Sequence, residues 1–190
     1  MVKYDVIIVG GGTAGCACAY TAGKLGLKTL LIEKNIHLGG TITSALVVPA
    51  MKSGEHQINT DFYKELIAEL HSIGGQATYQ DNAGWFNPEL TKIALDRLMA
   101  KANVDVFFDT HIRDVIIENR CIKGIIISKE MLSVYNEKIE RQNKELSVSI
   151  ETKYVVDTTG NCDIGKLCGC QFLEEKAENQ PVSLRFMMGG

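Results

Sequence analysis

The chain has 190 residues, 45% of them apolar and 23% charged, which suits one globular domain, or one domain with part of a second. Its net charge of −3 does not create the positive electrostatic field that would attract nucleic acid or an anionic membrane surface. No apolar run approaches the roughly 18 residues that cross a bilayer, and the first strand leaves no room for a secretory signal. We therefore expect a cytoplasmic protein without a nucleic-acid partner or a membrane segment.

The first 33 residues carry the most specific motif. An apolar strand over residues 4–9 enters the turn Gly10-Gly11-Gly12-Thr13-Ala14-Gly15, and a small-residue helix and a second strand ending in Glu33 follow. Gly10 permits the tight turn, and Gly12 lets the backbone approach a pyrophosphate at the helix N-terminus. Glu33 lies near the spacing of about 20 residues at which an acid accepts hydrogen bonds from a ribose. This order predicts a dinucleotide-binding βαβ unit, with a ligand-free βαβ unit as the alternative.

The residues around the end of the second strand narrow the choice among dinucleotide ligands. The acid at Glu33 disfavours a 2′-phosphate, so FAD or NAD is favoured over NADP. The paired glycines Gly39 and Gly40 precede small hydroxyl residues that begin with Thr41. Such a segment indicates backbone held close to a phosphate or a flat ring, and a plain glycine-rich turn is the alternative.

The middle of the chain predicts two helices and a strand. Apolar residues at helical spacing indicate helices over residues 58–73 and 88–102, the second opened by Pro88. Residues 79–87 are predicted as a polar loop, and residues 104–108 as a buried strand.

After His111 the pattern changes to short strands. The predicted elements are strands over residues 112–118, 121–128 and 146–151, a solvated polar stretch over 129–145, a buried strand over 154–157 and a short helix over 164–168. We interpret the first three strands as an antiparallel β-meander inserted in a parallel α/β fold. Residues 181–188 resemble the first strand of a new sheet, so we expect an incomplete polypeptide.

The six cysteines match neither a disulfide framework nor a zinc site. Without a secretory signal, disulfides are not expected, and the spacing of Cys162, Cys168 and Cys170 is not that of zinc ligands. We expect all six to be buried small hydrophobic residues, with a redox-active pair as the alternative.

Four motifs together resemble the N-terminal part of the FAD-dependent oxidoreductase family, whose FAD domain is like that of glutathione reductase. This family is related to the fumarate reductase and succinate dehydrogenase flavoproteins. The motifs are the first glycine turn with Ala19, Glu33 with Gly39-Gly40, the helix–strand run over residues 88–110, and Asp157-Thr158-Thr159-Gly160-Asn161-Cys162-Asp163. The last resembles the family's Asp-Ala-Thr-Gly-x-x-Asp, with Thr158 in place of Ala.

The resemblance implies an α/β, Rossmann-like FAD-binding domain, a parallel sheet with an inserted antiparallel β-meander. It would span residues 1–175 without its closing C-terminal segment, and residues 176–190 would begin a substrate domain. The implied cofactor-binding residues are Gly10, Gly11, Gly12, Thr13, Ala14, Gly15, Glu33, Lys34, Gly39, Gly40, Thr41, His111, Ile112, Thr159, Gly160 and Asp163.

Two of the candidate residues have competing interpretations. Asp163 would line the cofactor, or it would be the N-cap of the short helix that follows. Some relatives attach flavin covalently through a histidine upstream of their paired glycines, but the sequence around His37 does not match that motif. We therefore expect His37 to be a loop residue near a phosphate.

The resemblance implies a flavoprotein oxidoreductase that transfers a hydride or electrons through the isoalloxazine to a small-molecule substrate, with an unknown electron acceptor. Neither a catalytic residue nor a metal ligand is identified. One alternative is a tRNA-modifying FAD protein, which has a similar Gly-Cys pair at Gly15-Cys16 but normally adds a basic RNA-binding region. The other alternative is a non-catalytic fragment.

Overall fold

The computed structural model describes residues 3–50, 61–129, 146–173 and 184–186. Residues 58–60 of the first predicted long helix, the polar stretch after residue 129 and the proposed domain boundary at residue 175 lie outside these ranges. The elements are β1 (Lys3–Val9), α1 (Thr13–Lys24), β2 (Thr29–Ile32), a 3-10 turn (Gly40–Ile42), α2 (Asp61–Ser72), β3 (Gln76–Tyr79), β4 (Asn82–Phe86), α3 (Pro88–Lys101), β5 (Asp105–Phe107), β6 (His111–Glu118), β7 (Cys121–Lys129), β8 (Leu146–Asp157) and α4 (Asp163–Leu167).

The main sheet has six strands in the order β5-β2-β1-β8-β7-β6. Strands β5, β2, β1 and the second half of β8 are parallel, whereas β8, β7 and β6 pair antiparallel. Val9 is in register with Ile32 on one side and with Asp157 on the other. Three strands therefore end at one level, and the predicted α/β fold with parallel and antiparallel strands is confirmed.

Strand β8 corrects the predicted break between residues 151 and 154. Its twelve residues are one strand, which pairs with β7 through its first half and with β1 through its second. Glu151 is in register with both Gly124 and Lys3. The polar pair Thr152-Lys153 suggested a break, but Thr152 is buried and its hydroxyl donates to the carbonyl of Tyr154 at 3.0 Å. The meander is therefore continuous with the parallel sheet.

The core has two layers, one on each face of the parallel strands. Ile8 and Leu31 share a buried cluster with residues of α1, α2 and α3, such as Leu95. Their neighbours on the opposite face, such as Ile7, belong to a second cluster with Ile125 and other residues of β6 and β7. Alternate residues of a strand point to opposite faces, so α1, α2 and α3 cover one face, and the second cluster lies on the other.

The hairpin β3–β4 replaces most of the polar loop predicted over residues 79–87. Its two turn residues, Gln80 and Asp81, both have positive φ, at 49° and 58°, as two-residue hairpin turns require. Tyr79 and Trp85 pack edge to face with ring centroids 5.6 Å apart. The sequence did not predict this hairpin because its strands are only four and five residues long and its turn contains no glycine.

The second predicted long helix is confirmed as α3, and its N-terminus follows the expected chemistry. The side chain of Asn87 accepts hydrogen bonds from the backbone N–H groups of Glu89 and Leu90, and Pro88 occupies the first turn. In the tail, the described residues 184–186 belong to no strand. The rest of the strand predicted over 181–188 lies outside the described residues.

The prediction that all six cysteines are buried was wrong. All are free thiols, but Cys121, Cys162 and Cys170 are exposed, while Cys16 is fully buried. Cys121 directly follows the β6–β7 turn, and Cys162 adopts a left-handed conformation, with φ of 53°, just before α4. Turns lie at the surface, so the apolar character of a thiol did not determine its position.

Candidate functional site

A cavity of about 480 Å³ opens where β1, β2 and β8 end, the edge at which open α/β sheets bind ligands. It brings together every predicted cofactor residue except Gly11, Gly15 and Gly39, which are not among its lining residues. The described lining residues are Val9, Gly10, Gly12, Thr13, Ala14, Ile32, Glu33, Lys34, Asn35, Gly40, Thr41, Thr110, His111, Ile112, Thr158, Thr159, Gly160 and Asp163.

The glycines of the first turn are required for different physical reasons. Gly10 has φ of +103°, and a Cβ there would lie 2.8 Å from the carbonyl oxygen of Thr158. At Gly15 a Cβ would lie 1.8 Å from the carbonyl oxygen of Gly10, so no side chain fits between the helix and the turn. Gly12 differs, because a Cβ there would meet no atom of the described residues within 4 Å. The turn therefore keeps open space above Gly12, as a ligand close to the backbone requires.

Helix α1 begins at this open space. Gly12 is its N-cap and provides no side-chain hydrogen bond, and the first turn contains no acidic residue. Thr13 and Ala14, whose N–H groups precede the first i to i−4 bond at Cys16, line the cavity. Backbone N–H groups and the helix dipole make such an end a site for an anion.

The second glycine pair packs against the first turn. Gly39 donates its N–H to the carbonyl of Gly11 at 2.8 Å. A Cβ on Gly40, which has φ of +55°, would lie 3.1 Å from the Cα of Gly12. Gly40 and Thr41 thus line the cavity beside the first glycine turn, whereas Gly39 contacts that turn without being among the lining residues.

The Glu33 carboxylate is buried at 6% exposure, and the protein itself occupies most of its hydrogen-bonding capacity. One oxygen accepts the N–H of Gly11 at 2.5 Å. The other accepts the backbone N–H and the side-chain amide of Asn35 at 2.8 and 2.7 Å. A carboxylate has about four acceptor positions, so about one is left for a ligand hydroxyl. The sequence analysis missed Asn35, and the only local signal for it is an amide side chain two residues after the acid.

The start of β6 is held beside this acid. The N–H of Thr110 donates to the backbone carbonyl of Glu33 at 3.1 Å. His111 and Ile112 follow immediately and line the cavity. The structure thus places both predicted residues next to the predicted ribose acid.

Thr158, which stands where the resembled motif has Ala, joins the end of β8 to the first glycine turn. Its hydroxyl lies 2.8 Å from the carbonyl oxygens of both Val9 and Gly10. Its N–H also donates to the carbonyl of Val9 at 2.9 Å. These bonds hold the segment that begins with Thr159-Gly160 against the first glycine turn.

Asp157 organises the segment that leads into α4. Its carboxylate accepts the N–H and hydroxyl of Thr159 at 3.0 and 2.7 Å, and the N–H groups of Ile164 and Gly165 at 2.9 and 3.0 Å. Burial favours the protonated acid, but these hydrogen bonds hold the pKa of Asp157 below its usual value. The alternative role of Asp163 as an N-cap was therefore wrong. Asp163 is the first residue of the helix, lines the cavity, and forms an ion pair with Lys166 at 3.6 Å.

His37 lies outside the described lining of the cavity, although we expected it near a phosphate. Its Nδ1 is buried and has no hydrogen-bond partner among the described residues. His37 is half-buried as a whole, with this ring nitrogen turned into the protein.

The sequence model of the family described as FAD dependent oxidoreductase matches residues 5–190. A digeranylgeranylglycerophospholipid reductase of Sulfolobus acidocaldarius is 28% identical over 173 residues, which cover 84% of this chain and 34% of the reductase. The tRNA uridine 5-carboxymethylaminomethyl modification enzyme of Buchnera aphidicola is 26% identical over 136 residues, 66% of this chain and 22% of that enzyme. The chain thus spans about a third or less of the length of these two relatives.

One solved structure of similar fold is a THI4 protein. The crystal structure of THI4 from Thermovibrio ammonificans superposes with a TM-score of 0.59 at 19% identity, covering 87% of this chain and 61% of that chain. In the part of the chain that the structure describes, no helix has the length and apolar character needed to span a membrane.

Proposed function

Because the chain belongs to the FAD-dependent oxidoreductase family, we propose that it is the FAD-binding portion of a flavoenzyme that passes a hydride or electrons to or from a small-molecule substrate. One observation supports this best. The cavity combines open space above Gly12, the N–H groups at the start of α1 that precede its first i to i−4 bond, and a buried acid at Glu33. These match the pyrophosphate and the ribose of a dinucleotide, so the residues present fit FAD.

We assign each wall of the cavity a part of the cofactor. Gly12, Thr13 and Ala14 bind the pyrophosphate through backbone N–H groups, with the neighbouring glycines Gly10, Gly11 and Gly15 shaping the turn. Glu33 accepts a ribose hydroxyl, flanked by Lys34, and the backbone of His111 and Ile112 lies along the adenine. The remaining assigned residues face the phosphates and the flavin side, and they are Gly39, Gly40, Thr41, Thr159, Gly160 and Asp163. The bound flavin supplies the redox chemistry, and these residues bind and orient it.

The experiment is retention of FAD by the purified full chain. Free flavin is removed by gel filtration, and flavin absorbance is measured per protein. Glu33→Arg should lose most of the FAD, because a cation cannot accept the ribose hydroxyl and would lie against the N–H of Gly11. Glu118→Arg, at an exposed strand end, is the matched control and should keep it. A colourless wild-type protein that does not bind added FAD would contradict the proposal and favour the fragment alternative.

Modification of tRNA is the second candidate, because one relative has that function. The net charge of −3 argues against a basic RNA-binding surface on this chain. A filter-binding assay with total tRNA at low salt discriminates between the two. We expect no binding, and salt-sensitive retention of tRNA would favour this second function.

We also propose the domain limits and the location. Residues 1–175 form the FAD-binding unit, and residues 176–190 begin a substrate domain. A cytoplasmic location is supported by six free cysteines, three of them exposed, since a reducing compartment keeps thiols free.

A further inference from the structure

A second cavity lies beside the hairpin β3–β4 and has a volume of about 680 Å³, within the range of small-molecule pockets. We call it the Trp85 groove. Its apolar wall includes Val48, Trp85, Phe86 and Phe186. Phe186 is 72% exposed, so a ligand that covers it removes a large aromatic surface from water.

The groove carries one charge. Arg185 is the only charged side chain among the described residues that line it. Its guanidinium makes no hydrogen bond or ion pair with any residue in the described ranges. A guanidinium presents a fork of donors that matches a carboxylate. An apolar wall with one such group suits an organic anion that has an apolar body.

The groove adjoins the cofactor cavity. Thr41 lines the cavity, and its carbonyl accepts the N–H of Val47 at 3.0 Å. The next residue, Val48, lines the groove. One short segment therefore contributes to both, at the wall assigned above to the flavin side.

We propose that the Trp85 groove is the substrate site of this flavoprotein, and that its substrate is a monocarboxylate with an apolar, arene-sized body whose carboxylate binds Arg185. The assignment of a substrate rests on the proposed function, because it requires the flavin to lie beyond Thr41. The binding of the carboxylate rests on the groove alone.

The chain provides its own reporter for the test, because Trp85 is its only tryptophan. Fluorescence of the FAD-loaded protein is titrated with 4-phenylbutyrate and with the uncharged 4-phenylbutyramide. We expect saturable quenching by the carboxylate and binding of the amide weaker by about tenfold to a hundredfold, the loss of one charge-assisted hydrogen-bonded pair. The flavin absorbance should shift over the same concentration range.

Variants locate the binding. Arg185→Gln should raise the Kd of 4-phenylbutyrate by about tenfold or more and leave that of the amide unchanged. Arg185→Lys should recover part of the affinity, because it keeps the charge without the fork. Arg120→Gln, on the exposed β6–β7 turn, is the matched control and should bind like the wild type.

Three results would overturn the proposal. Equal affinity for 4-phenylbutyrate and 4-phenylbutyramide would show that the ligand's charge does not contribute to binding. An unchanged Kd of 4-phenylbutyrate in Arg185→Gln would show that Arg185 does not bind the carboxylate. Saturable quenching without any flavin shift would overturn the assignment as the substrate site. FAD content is measured on the same samples, and the titration is repeated without FAD. Failure to bind FAD therefore contradicts the proposed function, whereas failure of the titration contradicts only the groove.

Discussion

Replacing Gly12 by alanine should separate cofactor binding from fold stability. Gly12 has φ of −68° and ψ of −176°, a conformation open to any residue. A Cβ there meets no atom within 4 Å in the described part of the chain. The alanine therefore strains nothing in the folded protein, and it reduces the conformational freedom of the unfolded chain. We expect the free energy of unfolding without FAD to be unchanged or higher by about 0.4–1 kcal/mol.

The same methyl group should weaken FAD binding. It projects into the space where a pyrophosphate would approach the N–H groups at the start of α1. Displacing the phosphate from one charge-assisted hydrogen bond costs about 1.5–3 kcal/mol. Since about 1.4 kcal/mol is tenfold in affinity, the Kd of FAD should rise by about tenfold to a hundredfold.

Two assays on the same protein test this pair of expectations. Urea unfolding without FAD measures stability, and quenching of flavin fluorescence measures Kd. Gly15→Ala is the contrasting variant, because its Cβ would lie 1.8 Å from the carbonyl oxygen of Gly10 and force the backbone to move. That variant should lose both stability and binding. A wild-type Kd in Gly12→Ala, or a loss of stability as large as that of Gly15→Ala, would refute the reasoning.

Three other predictions concern Glu33, Asp157 and the cysteines. Glu33→Gln should lower the free energy of unfolding without FAD by about 1–3 kcal/mol in urea, since its amide would point a donor at the N–H groups of Gly11 or Asn35; an unchanged midpoint would contradict this. Asp157→Asn should cost a similar amount at pH 7. Because the folded pKa of Asp157 is lowered, its contribution is complete above the ordinary value of 3.8 and is lost as the pH falls through the folded value, so the two unfolding curves should converge in acid. With a thiol reagent at pH 8, the exposed Cys121, Cys162 and Cys170 should react first. Cys16, whose pKa burial raises to about 12, should react only on unfolding, and prompt reaction there would contradict its burial.

The sequence predicted the parts of the site that depend on local backbone chemistry. A tight turn, a close approach and a helix N-terminus each require glycine at a fixed offset, so the first turn was identifiable from spacing alone. The acid at Glu33 followed from the same spacing. The pairing of Gly39 with Gly11 needed the fold, because it joins two turns that are separated by α1 and β2.

Other features depend on contacts between distant residues and left no local pattern. Thr158 reads as a minor departure from a motif, and only the structure shows its hydroxyl between the carbonyls of Val9 and Gly10. Asp157 caps α4 from six residues before the helix begins, beyond the reach of an ordinary capping pattern. The continuity of β8 was hidden because Thr152 is polar although it is buried.

The pairing of β1 with β8 determines when during folding the site can exist. The hydroxyl bonds of Thr158 join residues 148 and 149 positions apart in the chain. Closing so long a loop costs entropy before any contact repays it, and non-local parallel pairing is slow. During synthesis the first glycine turn emerges far ahead of the strand that must lie beside it. Until β8 is in place, the cavity lacks the lining residues Thr158, Thr159 and Gly160, so the cofactor binds late in the folding of each new chain.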